Sequence, residues 1–393
     1  MKIICCVATG AILFAGNTYA QSSVTLYGII DEGINYNSNM NGGRVFATQS
    51  GVMQGSRWGL RGLEDLGGGF STFFDLENGF DASTGKLGQG GLLFGRQASV
   101  GLNSPYGTLS LGRQYASAMD FVGAMAVSNQ WAGNINAHPA DVDNLNDTFR
   151  INNDVKFKSI SYGGFSFGGD YSLGGVAGAT SRNQAWSLGA GYTMGPLQVG
   201  AGYLNVRNPN ISLFGNATSG TASAAVANTT YPIFSGFTSA RTYQVVTTGV
   251  AYKLGAATLG ATYANVAFKE LGDSASGPNP SGYKGSVHFN SAEASLRYQI
   301  NPALLVGLAY NYTNSSSVSS ATGINNGATY QQGMAGIDYL LSKRTDVYLL
   351  GAYQKASGTD SRNRPAIASI NNQSSPSSSD RQAVIRIGMR HKF

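Results

Sequence analysis

Cysteine, charge and long apolar runs are all scarce in this chain. Its two cysteines, Cys5 and Cys6, lie within the first few residues. Beyond them there is no thiol, hence no disulfide, thiolate metal site or cysteine nucleophile. Charged residues make up 12% of the 393, about half the usual share. After residue 20 no apolar stretch reaches about 18 residues, so no helix is available to cross a membrane. Histidine occurs three times, as His138, His288 and His391, and no Ser or Asp motif sets any of them up as a triad, which argues against an enzyme. Lysine and arginine are dispersed rather than clustered in runs, and a net charge of +6 is modest for this length; that is not the footprint of a nucleic-acid binder.

Glycine, by contrast, is abundant at 54 residues, roughly twice the ordinary frequency. Tyrosine (21) outnumbers phenylalanine (18). The first 20 residues carry Lys2, an apolar run from Ile3 to Phe14 and then Thr18-Tyr19-Ala20. This is the pattern of a secretory signal cleaved before Gln21.

A two-residue alternation then runs through the chain. In "ALLVGLAYNY" Leu304, Val306, Leu308, Tyr310 and Tyr312 share one face, opposite Leu305, Gly307, Ala309 and Asn311. In "AVIRIGMRHKF" Ile385, Ile387, Met389 and Phe393 oppose Arg386, Arg390 and Lys392. Such segments are strands with one apolar and one polar face. Sixteen are expected, at 23–36, 50–63, 69–80, 92–103, 107–115, 149–162, 165–173, 184–194, 197–206, 240–254, 257–268, 287–300, 303–314, 328–341, 345–355 and 380–393. Short turns such as "SPY" and "GP" alternate with long polar segments at 37–49, 81–91, 116–148, 207–239, 269–286, 315–327 and 356–379. Short turns at one end and long loops at the other describe an all-β, 16-stranded antiparallel transmembrane barrel. Lipid offers no hydrogen bonds, so the sheet must close, and the last strand must pair with the first. Sixteen strands leave an aqueous channel, whose water faces the polar parity.

The segments "SSVTLYGIIDEGINY", "SRWGLRGLEDLGGGFSTFFDLENGF", "FGRQASVGLNSPYGTLSLGRQY", "RINNDVKFKSISYGGFSFGGDY" and the terminal "GMRHKF" resemble general diffusion porins of Gram-negative outer membranes, of the beta-proteobacterial type. The resemblance runs through essentially all of the chain after the signal. It implies residues 21–393 as one porin domain in a homotrimer, with 116–148 as an inward-folded third loop that constricts the pore. Phe393 would be the mark read by the barrel-insertion machinery. Asp120, Asp141, Asp143 and Asp147 are the acidic residues of that loop. The matching basic cluster on the opposite wall is Arg57, Arg96 and Arg150, with Arg61 and Arg113 as further candidates whose height in the pore the motif does not fix.

A transverse field between such groups orders water and biases which ion enters. The implied function is passive diffusion of ions and small hydrophilic solutes through a water-filled channel, weakly favouring anions. Outer-membrane lipid and lipopolysaccharide would surround it, and no cofactor, metal or nucleic acid is expected. A substrate-specific channel is the alternative, with a barrel adhesin or hydrolase behind it. Arg96 fits awkwardly, because within 92–103 it shares parity with Val100 and Leu102; a bulge or loop contact is required. "DVDNLND" at 141–147 fails as a calcium loop, since position six is Asn146 where glycine is needed, and reads as a polar loop tip. Loops 207–239 and 356–379 read as the exposed and least constrained parts.

Overall fold

The computed structural model describes residues 23–217 and 219–393. The expected signal, 1–20, lies outside the described residues. The strands are β1 (Ser23–Met40), β2 in two segments (Gly43–Ser50 and Arg57–Gly67), β3 (Phe70–Gly79), β4 (Gln97–Ser104), β5 (Gly107–Gln114), β6 (Ile151–Ser159), β7 (Phe165–Ser172), β8 (Ala185–Met194), β9 (Leu197–Arg207), β10 (Thr242–Leu254), β11 (Ala257–Leu271), β12 (Gly285–Asn301), β13 (Leu304–Ser315), β14 (Ala328–Leu340), β15 (Thr345–Gly358) and β16 (Arg381–Lys392). Each pairs antiparallel with its chain neighbours, and β16 pairs with β1 through Ile34↔Ile387 and Asn35↔Arg386. The result is a closed 16-stranded barrel without a free edge.

The alternation sorts as expected. Ile387 is 67% exposed on the outside while its neighbour Arg386 is fully buried inside. Arg386 ties the closing seam together: its Nη2 lies 3.0 Å from Asp31 Oδ1, its Nε donates to the Tyr348 hydroxyl at 2.7 Å, and its Nη1 donates to Asn35 Oδ1 at 2.9 Å. Phe393 continues the pairing, exchanging two backbone hydrogen bonds with Gly28 at 3.0 and 3.1 Å.

Three boundaries differ from the sequence reading. Segment 37–49 is no long loop: β1 runs to Met40, turns through Asn41 and Gly42, both at positive φ (50° and 98°), and returns as Gly43–Ser50. That is an Asn-Gly hairpin turn, whose twist matches that of its strands. The expected strand 50–63 is broken at residues 51–56, where Val52 and Met53 turn inward and are buried. The expected strand 92–103 begins only at Gln97, so Arg96 stands ahead of it and parity with Val100 does not govern its direction.

The apolar core sits inside the loop end of the barrel rather than between sheets. Loop 208–241 contributes Leu213, Phe214, Ile233, Phe234 and Phe237, which pack on Phe149, Tyr243, Phe268, Tyr283 and Phe289. Ring centroids lie 5.2 Å apart for Phe214–Phe234 and 5.1 Å for Phe237–Tyr283. Each buried ring of this kind is worth about 1.5–3 kcal/mol relative to exposure. The expectation that 207–239 is merely exposed is therefore corrected; composition averaged over the loop hid five large apolar residues among its Ser, Thr and Gly. Residues 356–379 are corrected likewise, since Ala366, Ala368 and Ile370 are buried.

Candidate functional site

The segment between β5 and β6 folds into the lumen and crosses it. A short helix, α1 (Ser117–Val122), lies against β8 and β9, where Ala118 rests over Gly202. Further on, Val127 N–H donates to Glu293 Oε1 on β12 at 2.8 Å. Trp131 then fills a notch in the wall at Gly307 and Gly336; a Cβ on Gly307 would stand 2.4 Å from its ring. Asn134 N–H donates to Val52 O at 2.6 Å, so the loop is latched to the inward break in β2. On the return, His138 stands between Asp143 (2.5 Å) and Glu293 (3.5 Å), and the Tyr243 hydroxyl donates to Val142 O at 2.7 Å.

Beside this loop lies a cavity of about 460 Å³. Arg57, Arg96, Arg150 and Tyr115 line it together with Ser128, Asn129, Asn134, Asn146 and Asp147 of the loop. The three expected arginines are thus brought together. Arg57 Nε donates to Gly55 O at 2.8 Å, with Nη1 3.9 Å from Glu77. Arg96 Nε donates to Glu77 Oε1 at 2.6 Å and its Nη2 to the Tyr115 hydroxyl at 2.8 Å. Arg150 Nη2 donates to the same hydroxyl at 3.2 Å, its guanidinium 5.0 Å from the Tyr115 ring centroid. Tyr115 and Glu77 are therefore the supports that hold like charges close, and sequence reasoning did not single them out for this. A signal existed: Tyr115 closes the quoted "LGRQY", and Glu77 has lumen parity.

The other candidates sit elsewhere. Arg61 is half-exposed and paired with Asp75 at 2.7 Å. Arg113 donates to Gly95 O at 2.9 Å and Asn152 Oδ1 at 2.5 Å, and it is absent from the cavity lining. Asp120 pairs with Lys156 in a separate lumen cleft of about 190 Å³ that Lys158 also lines. Asp141 accepts from the N–H groups of Asn146 (2.9 Å) and Thr148 (3.0 Å), and Asp143 from His138 and Leu145 N–H. So "DVDNLND" is a buried, self-bonded fold rather than a polar tip. Of the four aspartates only Asp147 reaches the arginine cavity. Burial pushes its carboxyl up to about 7 despite the opposing pull of Arg150, and burial with the charge of Asp143 pushes Asp141 up to about 6.

Comparison with known proteins bears on this geometry. The family model for Gram-negative porins matches residues 7–359. An outer membrane porin protein of Bordetella pertussis is 32% identical over 368 residues, 87% of this chain and 91% of that protein. Outer membrane porin protein 32 of Delftia acidovorans is 31% identical over 179 residues, 42% of this chain and 48% of that one. The fold is shared with the solved anion-selective porin from Comamonas acidovorans, at a TM-score of 0.71 and 21% identity, covering 95% of this chain and all of that one. A closed barrel with a loop crossing its lumen, matched by the family model over most of its length, makes this chain a member of the Gram-negative porin family, a channel of the outer membrane.

Proposed function

We propose that this porin passes ions and small hydrophilic solutes passively, with a weak preference for anions set by Arg57, Arg96 and Arg150. The observation that carries this reading is the gathering of three guanidiniums on one cavity, against Glu77 on the wall and Asp147 on the loop. With both carboxylates charged the cluster keeps one positive charge in excess, and it keeps two once Asp147 is protonated. In a narrow, low-dielectric-walled passage such an excess raises local anion concentration. The Comamonas acidovorans porin, described as anion-selective, is in keeping with this.

The working form is a homotrimer embedded among outer-membrane lipid and lipopolysaccharide, delivered by the barrel-insertion machinery that reads Phe393. It needs no cofactor and catalyses no reaction; selection is by size and field alone. The test is conductance in planar bilayers as KCl is raised. A general diffusion pore gives discrete steps that grow in proportion to salt and are not blocked by low-millimolar sugars or organic acids. Saturation, or block by one solute class, would instead mark a substrate-specific channel.

A further inference from the structure

The last loop, 359–380, is rich in serine and asparagine, a composition suited to an exposed surface. Its middle nevertheless lies inside the barrel, and three sets of contacts hold the loop in place. The wall supplies the first: Ser369 N–H donates to Gln354 Oε1 at 2.6 Å, Ile370 N–H donates to Gln382 Oε1 at 2.8 Å, and Asn37 Nδ2 donates to Gln373 Oε1 at 2.9 Å. Backbone pairing of the segment reaches Ala368, whose N–H donates to Ser379 O at 2.9 Å; the buried N–H groups that follow are met by side chains. Gln354 and Gln382, lumen residues of β15 and β16, meet two of them.

The second set comes from the third loop, where Asn371 Nδ2 donates to His138 O at 2.7 Å. The third comes from loop 208–241. Ser361 Oγ donates to Pro232 O at 2.7 Å and accepts from Gly236 N–H at 2.9 Å. A Cβ on Gly236 would stand 1.7 Å from Ser361 O, so this approach requires glycine.

Held this way, Asn371 and Asn372 reach the arginine cavity and line it together with Arg57 and Asn134, and Tyr231 of loop 208–241 joins them. Part of the cavity lining is therefore a pair of neutral amides that belongs neither to the third loop nor to the segments carrying the arginines.

We propose that loop 359–380 is a second constriction element, whose tip at Asn371 and Asn372 sets the size limit of the passage while the arginines set its charge preference. This rests on the reading of the arginine cavity as part of the conducting path. Size and charge are then carried by different chain segments and are separable by mutation.

The test uses the full channel in planar bilayers and in liposome swelling with sugars of increasing mass. Asn371→Gly with Asn372→Gly trims both amides; Asn372 already has a φ of 56°, which glycine adopts freely. A second variant, Gln354→Leu with Gln382→Leu, removes the acceptors that hold the loop to the wall. Folding of each is checked by heat-modifiable gel mobility. Ohmic conductance follows the open cross-section of the narrowest segment, so a rise of about twofold is expected, with a larger sugar cut-off and an unchanged sign of the zero-current potential. Unchanged conductance and cut-off in both folded variants would overturn the proposal. So would a reversed potential without a change in cut-off, because the loop would then act on the charge filter. A cation-signed potential in the unmutated channel would defeat the anion reading alone and leave the size test intact.

Discussion

Arg57→Glu exchanges a positive for a negative charge at the centre of the basic cluster, in a side chain that holds Gly55 O at 2.8 Å and stands 3.9 Å from Glu77. The new carboxylate faces Glu77, whose remaining cationic partner is Arg96 at 2.6 Å, with the Tyr27 hydroxyl donating to it at 3.2 Å. The change is two charge units. For an ion passing about 5 Å away in a water-like medium, Coulomb's law gives ~1.7 kcal/mol. Screening over half a Debye length at about 0.1 M salt leaves about 1 kcal/mol. Chloride is raised and potassium lowered by this amount, so the two part by about 2 kcal/mol, an upper limit of roughly 30-fold in their permeability ratio. Arg57→Gln removes one unit and should shift the ratio by about fivefold. The assay is the zero-current potential under a KCl gradient, with the mutants checked for folding by heat-modifiable mobility. A reversal to cation preference in the Glu variant and an intermediate value in the Gln variant are expected. An unchanged potential in a folded Glu variant would refute the claim that this residue carries the filter.

Further perturbations separate charge from architecture. Because the Asp147 carboxyl is pushed up to about 7, its negative charge appears only as pH rises through that value. Anion preference should therefore strengthen on acidification from about pH 8 to about pH 6, and the dependence should flatten in Asp147→Asn; an equal slope in the variant would rule this out. Gly307→Val places side-chain atoms where the Trp131 ring sits, since a Cβ at 307 would stand 2.4 Å from that ring. Overpacking of this kind costs about 1–3 kcal/mol, and single-channel records should show a displaced or flickering third loop in a barrel that still folds. Arg386→Leu leaves Asp31 buried at the β1–β16 seam without its cationic partner, its carboxylate still accepting from the Tyr348 hydroxyl and Gln54 N–H. Loss of one partner of a buried pair typically costs about 3–5 kcal/mol, so urea unfolding in detergent should shift to markedly lower denaturant.

The wall of the barrel was legible because lipid and water impose opposite demands on alternate residues, and Leu304 to Tyr312 or Ile385 to Phe393 obey them without interruption. Closure followed from the same physics. The hairpin at Asn41-Gly42 was written in its turn dipeptide, yet the polar residues around it masked the strands, since Asn35 and Asn37 are polar because they face the lumen. The break at 51–56 has no periodic mark at all; its reasons are partners distant in sequence, Asn134 of the third loop on Val52 O, Asp31 on the N–H groups of Gly51 and Gln54, and the packing of Val52 and Met53 against Tyr348, Leu350 and Val384. Within the site, the motif arginines converge, whereas charge alone could not tell that Asp141 and Asp143 face inward to backbone and histidine. Loop residues show their partners only in three dimensions. Phe214, Phe234 and Phe237 were visible as apolar letters, but no period announced the core they build. Arg96 was obscured by a boundary placed five residues too early.

The most direct test of the arginine filter is the zero-current potential of the unmutated channel across a planar bilayer with a KCl gradient. An anion-signed potential, accompanied by discrete ohmic steps, is expected from Arg57, Arg96 and Arg150 lining the passage. A cation-signed potential would contradict it and hand the filter to Asp147 and Glu77.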